Sequence, residues 1–271
     1  MSTQKKLAVF STLALLLLLV TVFAAQLCPY DPYAQNLHAA LEPPGWAHPF
    51  GTDRFGRDLF SRVIIGAQTS IFSALILVAL ISVAGTLVGV LCAICGGAVD
   101  AILMRVADLC LAFPGIVFAL ALAAVLDGGV AGAVLALAAV SWPKYARLAR
   151  SQTRTLLGTD FIAAARLAGN TTLGLVRRHI LPNIAGQLVV TAVLDIGTMM
   201  MELAALSFLG LGAEPPTAEW GSMMSGGRSL LWVYPWVVLS PGVGIFISVA
   251  VFNLLGDALR DALDPRNGRC S

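Results

Sequence analysis

The sequence predicts an all-α integral membrane protein of about six transmembrane helices, on three observations. Apolar residues make up 58% of the 271 and charged residues only 12%, against about a quarter charged in soluble domains, and the mean hydropathy is +0.85. Uncharged runs recur that are long enough to cross a hydrocarbon core of about 30 Å as helices rising about 1.5 Å per residue. The basic residues gather in segments that such spans place on one side. A net charge of +2 makes no case for nucleic acid. Five cysteines, at 28, 92, 95, 110 and 270, are an odd number with three inside apolar runs, so no disulfide framework is implied.

Lys5 and Lys6 precede an uncharged run from Leu7 to Leu27. A cleaved signal peptide has an apolar region of about 7 to 15 residues, so residues 1–27 read as a retained transmembrane helix. Residues 28–70 are rich in Pro, Gly and both signs of charge and read as an extramembrane loop. Its last third, His48 to Arg62, has turn chemistry and then a short amphipathic pattern suited to the interface; a plain solvated loop fits the composition equally. Ile71 to Ile94 is the second span, and Gly85 and Gly89, four apart, allow close helix approach. Cys92 and Cys95 form a CxxC, read as small buried hydrophobes rather than a redox pair.

After Gly96-Gly97, Asp100, Arg105 and Asp108 mark a short polar connection, and Leu109 to Leu126 is the third span, which Pro114 kinks. Asp127-Gly-Gly is a tight turn, and the fourth span runs from Val130 through Pro143 towards Leu148. Ile184 to Leu209 is the fifth and Trp236 to Leu255 the last, so residues 71–256 hold five spans and 257–271 form a polar tail. Six spans place both termini and the loops after spans two and four together, with 13 of the 17 basic residues. By the positive-inside rule that side is the cytoplasm, and residues 28–70 are extracytoplasmic.

Between Lys144 and Pro182 lie seven basic residues and one acid, Asp160. Thr159 or Asp160 caps a helix through Ala168, and Gly169-Asn170 stops it. Thr171 or Thr172 caps a second short helix, and Pro182 sits where span five begins. Ala163, Ala164 and Ala165 present a smooth surface on which another protein can pack, with Phe161 ahead of it and Arg166 beside it. The charges would also suit anionic lipid.

This loop, residues 159–182, resembles the "EAA" loop of ABC importer permeases, matching at Ala164, Ala165, Gly169, Ile180, Leu181 and Pro182. The glutamate that often opens that motif is Ala163 here. Further marks point to the dipeptide, oligopeptide and nickel branch of the family: Gly51-Thr52-Asp53, Gly56-Arg57-Asp58, Ser207-Phe208-Leu209-Gly210-Leu211-Gly212 and Glu219-Trp220-Gly221. The resemblance implies a type I importer permease fold in a bacterial inner membrane, with 159–182 as the coupling helix for a cytoplasmic ATPase. It also implies a second homologous permease, two ATPase subunits that bind ATP and Mg, and an extracytoplasmic solute-binding protein. Asp53, Arg57, Asp58, Glu219 and Trp220 fall on the binding-protein side. The chain has only three lysines, Lys5, Lys6 and Lys144, none after a glycine, so it carries no Walker P-loop and does not bind ATP by that motif; the resemblance implies a transporter subunit with no cofactor of its own and ATP hydrolysis on separate subunits.

Asp195 and Glu202 lie within span five, where charges are costly. Seven residues apart, they share a face about 10 Å along the axis, with Thr198 and Met199 between. They line a pathway for a cation, or they hydrogen-bond to neighbouring helices. Carboxylates with thioethers suit transition-metal passage, and Asp195-Ile-Gly with Met199-Met200 resembles the second permease of nickel importers. No His/Cys cluster at ligand spacing accompanies them and no metal site is assigned, so nickel moving as a chelate is the expected cargo, with di- or oligopeptides the alternative. An ion-coupled secondary transporter needs no ATPase and would use the same acids.

Overall fold

A computed structural model describes residues 3–126 and 128–263. Five of its helices are long and apolar enough to cross a membrane, and a bent pair makes up to six. Helix α1, Thr3–Val22, breaks at Phe23 and resumes as one turn, α2, Ala24–Leu27, close to the expected first span. It packs on the outside of the bundle, with 11% of its apolar window buried.

Helix α3 spans Leu59–Cys95, so it starts well before Ile71, and the end of the segment expected to lie along the interface, Leu59–Arg62, is its first turn. Asp58 is the cause. Its carboxylate accepts from the Ser61 backbone N–H at 2.7 Å and the Ser61 hydroxyl at 2.6 Å, which satisfies donors a helix start otherwise leaves open. Arg62 turns back to the loop, donating to Pro32 O at 2.9 Å, so its charge does not hold the segment at the surface.

Gly96 and Gly97, at φ +60° and +51°, reverse the chain into α4, Gly97–Ala112. Asp100, Arg105 and Asp108 therefore stand on a helix and not in a connection. The third span is broken rather than kinked: α4 and α5, Gly115–Val125, meet at 97°. Proline disfavours the α region in the residue before it, and Phe113 is extended at φ −102°, ψ 152°. Asp127, the head of the predicted turn, lies outside the described residues, as do 264–271 of the tail.

Helix α6, Gly129–Leu157, runs unbroken past Pro143 and beyond the Leu148 expected as its end. It lies parallel to α3. A Cβ on Gly85 would stand 2.6 Å from Tyr145 Cβ, and one on Gly89 2.9 Å from Ala149 Cβ, so the two glycines do serve close approach. A short helix α7, Asp160–Leu167, follows, then α8, Thr172–Leu175, one widened turn, Val176–Ile180, and α9, Leu181–Phe208. These last three are continuous. Pro182 does not start a new span: the Leu181 N–H bonds Val176 O, five residues back, and the widened turn accommodates a ring that would clash in a regular α-helix.

Helix α10, Trp220–Gly227, leads to α11, Trp236–Leu263, which crosses antiparallel to α9 and carries into the first residues of the expected tail. Leu194 packs on Gly256, and Asn253 on Gly197. The main core joins Ile71, Leu77, Leu137, Tyr145, Leu206 and Phe252. A second cluster, Val90, Ala149, Ile162, Ile180 and Ile184, seals the far end.

Gly89→Val should lower the unfolding midpoint of the purified chain in detergent, at a cost of about 1–3 kcal/mol from overpacking. Gly115→Ala should leave it nearly unchanged, since the nearest atom to a Cβ there is 3.9 Å away.

Candidate functional site

Three groups of residues can carry function, and the structure places them at three levels of the bundle. The first is α7. Ile162 is fully buried in the second cluster and pins the helix under α3, α6 and α9. Phe161, Ala163, Ala164 and Arg166 are exposed and Ala165 is half-buried. Phe161 leans towards the His179 ring, with centroids 6.4 Å apart. Gly169 ends the helix at φ +83°, a conformation that favours glycine, and the Asn170 amide donates to Ala165 O at 2.9 Å. Thr171 caps α8 by accepting from the Gly174 N–H at 3.2 Å; Thr159 donates instead to Leu156 O. Ile180 is buried, Leu181 is half-buried and Pro182 is exposed, so Ile180 anchors the segment from inside. Two exposed apolar side chains, Leu167 at 90% and Leu173 at 66%, extend the open face.

The second group lies within the spans. Asp195 on α9 is buried. It accepts from Lys144 Nζ and from the Tyr145 hydroxyl at 2.9 Å, both on α6. Met199 is buried in the main core, while Thr198 is exposed and Glu202 half-buried. The four expected pathway residues therefore do not share one environment. Further along α6, Arg150 and Arg154 both donate to Asp100, and Arg147 donates to Asp108 at 2.5 Å. Four of the seven basic residues between Lys144 and Pro182 are thus paired with acids of α4 and α9; Arg166, Arg177 and Arg178 make no ion pair among the described residues.

The third group is at the opposite end. Asp53 accepts from Arg57 Nε at 2.7 Å and has the Arg62 guanidinium at 3.7 Å. Asp58 holds His48 Nδ1 at 2.9 Å besides capping α3. Glu219 caps α10, accepting from the N–H groups of Gly221 and Ser222 at 2.9 and 2.8 Å. Trp220 donates from its ring to Val63 O at 2.9 Å and lies between Gly66 and Gly244. All five expected outer residues are buried, so they shape this end, and a cavity of about 150 Å³ opens between the Asp53–Arg62 loop and α10.

Residues 85–269 match the family model described as the binding-protein-dependent transport system inner membrane component, and residues 3–44 match the N-terminal transmembrane domain of oligopeptide transport permease C. The chain belongs to the binding-protein-dependent transport permeases.

Among its relatives, the probable D,D-dipeptide transport system permease protein DdpC of Escherichia coli K12 is 43% identical over 95% of this chain and 87% of its own. The glutathione transport system permease protein GsiD of Escherichia coli O6:K15:H31 is 43% identical over 93% of this chain and 84% of its own. A solved structure, described as inward-facing conformations of the MetNI methionine ABC transporter, shares the fold with a TM-score of 0.60. Its identity is 21%, covering 75% of this chain and 97% of that one.

This permease is therefore an all-helical membrane subunit of an ABC importer, of the type I fold, and not an enzyme. Membership implies ATPase and binding-protein partners in general terms. The nickel branch inferred from Asp195-Ile-Gly and Met199-Met200 gains no support from these relatives, whose names specify peptides and glutathione. Sequence reading missed Lys144, Tyr145 and Ile162. Two signals existed: a lysine beside a proline inside a span, and acids on α4 opposite arginines on α6.

Lys144→Met should destabilise the permease by on the order of 1–3 kcal/mol, below the 3–5 of a fully buried pair because the lysine side chain is 56% exposed. The double variant Lys144→Met/Asp195→Leu should recover part of the loss, because no buried carboxylate is left without its cation. Thermal unfolding in detergent measures both.

Proposed function

We propose that this permease forms half of the pathway by which short peptides enter the cell, with α7 seated in a cytoplasmic ATPase. The observation that carries the cargo is kinship over nearly the whole chain with permeases named for dipeptide and glutathione transport. The interior is consistent with it. Asp195 is engaged by Lys144 and Tyr145, and Met199 and Met200 are packed in the core, so carboxylates and thioethers do not converge on one opening as soft-metal passage would require. Nickel, free or chelated, is the competing cargo from the sequence.

In this reading a second homologous permease completes the pathway, two ATPase subunits hold ATP and Mg, and a binding protein delivers cargo to the Asp53–Trp220 end. Both termini and α7 face the cytoplasm of a bacterial inner membrane, the sidedness favoured by 13 of 17 basic residues. Support for α7 as the coupling element is its shape: one buried anchor, Ile162, beneath an exposed face of Phe161, Ala163, Ala164 and Leu167. Cells lacking this permease should lose uptake of labelled dipeptide and keep uptake of radioactive nickel; the reverse result would assign the metal.

A bulky residue at Gly169 should uncouple ATP hydrolysis from uptake while the chain still inserts. Gly169→Val places a β-branched side chain at φ +83°, a strain of about 1–2 kcal/mol. Peptide uptake unchanged in that variant would remove the coupling role of α7.

A further inference from the structure

The 13 basic residues that the sequence puts on one side leave four, Arg54, Arg57, Arg62 and Arg228, and all four line two adjoining cavities at the end opposite α7. The inner cavity, the one of about 150 Å³ between the Asp53–Arg62 loop and α10, holds Arg57 and Arg62. The outer one, of about 510 Å³, is bordered by Arg228. Arg54 and Ser222 border both.

The charges around the inner cavity do not balance. Arg57 is 8% exposed and Arg62 4%, and one carboxylate, Asp53, serves both. Asp53 is already saturated: besides Arg57 Nε at 2.7 Å, it accepts from the backbone N–H groups of Phe55 and Arg57 at 2.8 and 3.1 Å. Arg62 donates to Pro32 O as well, whereas the two terminal amino groups of Arg57 have no hydrogen-bond partner among the described residues. The Phe55 ring lies 4.8 and 4.7 Å from the Arg54 and Arg57 guanidiniums, which positions these cations without neutralising them. The other acid of the walls, Glu214, is exposed and borders the outer cavity. Bracing of the loop accounts for the Asp53 and Pro32 contacts. It leaves a buried cation short of a counter-ion, which is costly, with a fork of donors that matches a carboxylate.

We propose that the inner cavity is a carboxylate-binding site, in which Arg57 and Arg62 receive the terminal carboxylate of an arriving peptide and Arg54 and Arg228 draw it in through the outer cavity. Because Arg57 and Arg62 are buried, a flat protein surface docked at this end would not reach them; a small anion that enters the cavity would. A peptide amidated at its terminus brings no charge and sets its own donors against the guanidinium donors. The carboxylate chemistry rests on the cavity alone, and the peptide as its bearer rests on the cargo proposed above.

The test uses the complete importer in lipid nanodiscs without its binding protein, titrated calorimetrically with dialanine and with dialanine amide. Dialanine should bind at least ~10-fold tighter than the amide, and Arg57→Gln should erase that preference. Should Arg57→Gln fail to assemble, Arg54→Gln, at an exposed position, should still narrow the preference about threefold. Equal affinity for acid and amide, or a preference untouched by both variants, would overturn the site. Failure of dialanine to bind at all would overturn it too; if Arg57→Gln then also weakens capture of the binding protein, the cavity belongs to an acidic side chain of that protein. An acid preference lost in the variants supports the site even where the uptake assay assigns nickel, and in that case the cargo reading alone falls.

Discussion

Four cations stand on one membrane helix between positions 144 and 154, and the rest of the bundle is arranged to neutralise them. Lys144 meets Asp195, Arg147 meets Asp108, and Arg150 and Arg154 share Asp100. The acids Asp195 and Asp100 are buried, and a buried carboxylate without its cation costs several kcal/mol. The pairs therefore fix α4 on one side of α6 and α9 on the other. The glycine contacts of α3 with Tyr145 and Ala149 do the same from a third side, so α6 is the axis on which the remaining helices are referenced.

Helix α7 leaves from the end of that axis. Ile162 ties it to residues of α3, α6 and α9 at once, and α8 continues into α9 with no loop between. A displacement of α7 thus acts on α9 through a helix with one widened turn, and α9 is the helix that carries the Asp195 pair. At the opposite end Trp220, wedged between Gly66 and Gly244, joins α3 to α11. In the proposed transport cycle these are the two points at which the ATPase and the binding protein act on the same helices.

Much of this was legible in the sequence because hydropathy and small residues speak locally. The apolar runs gave the spans, Gly85 and Gly89 gave a close crossing, and Gly169 gave the end of α7. Element ends were less legible where tertiary contacts extend a helix past its apolar run: α3 starts early because Asp58 caps it, and α6 runs on because its arginines find acids on α4. Asp195 was recognisable as costly, but its partner was not, since Lys144 lies 51 residues away and only the folded bundle brings them together. Thr198, expected on a pathway face, is exposed, while Met199, one residue on, turns into the core.

The seat of α7 is the centre of the account, and a photo-crosslinking residue at Leu167, 90% exposed, reads it directly. Irradiated in native membranes, that variant should give one dominant adduct between this chain and a nucleotide-binding subunit, and the adduct should diminish in Gly169→Val. Adducts to lipid alone, with no ATPase captured, would contradict it.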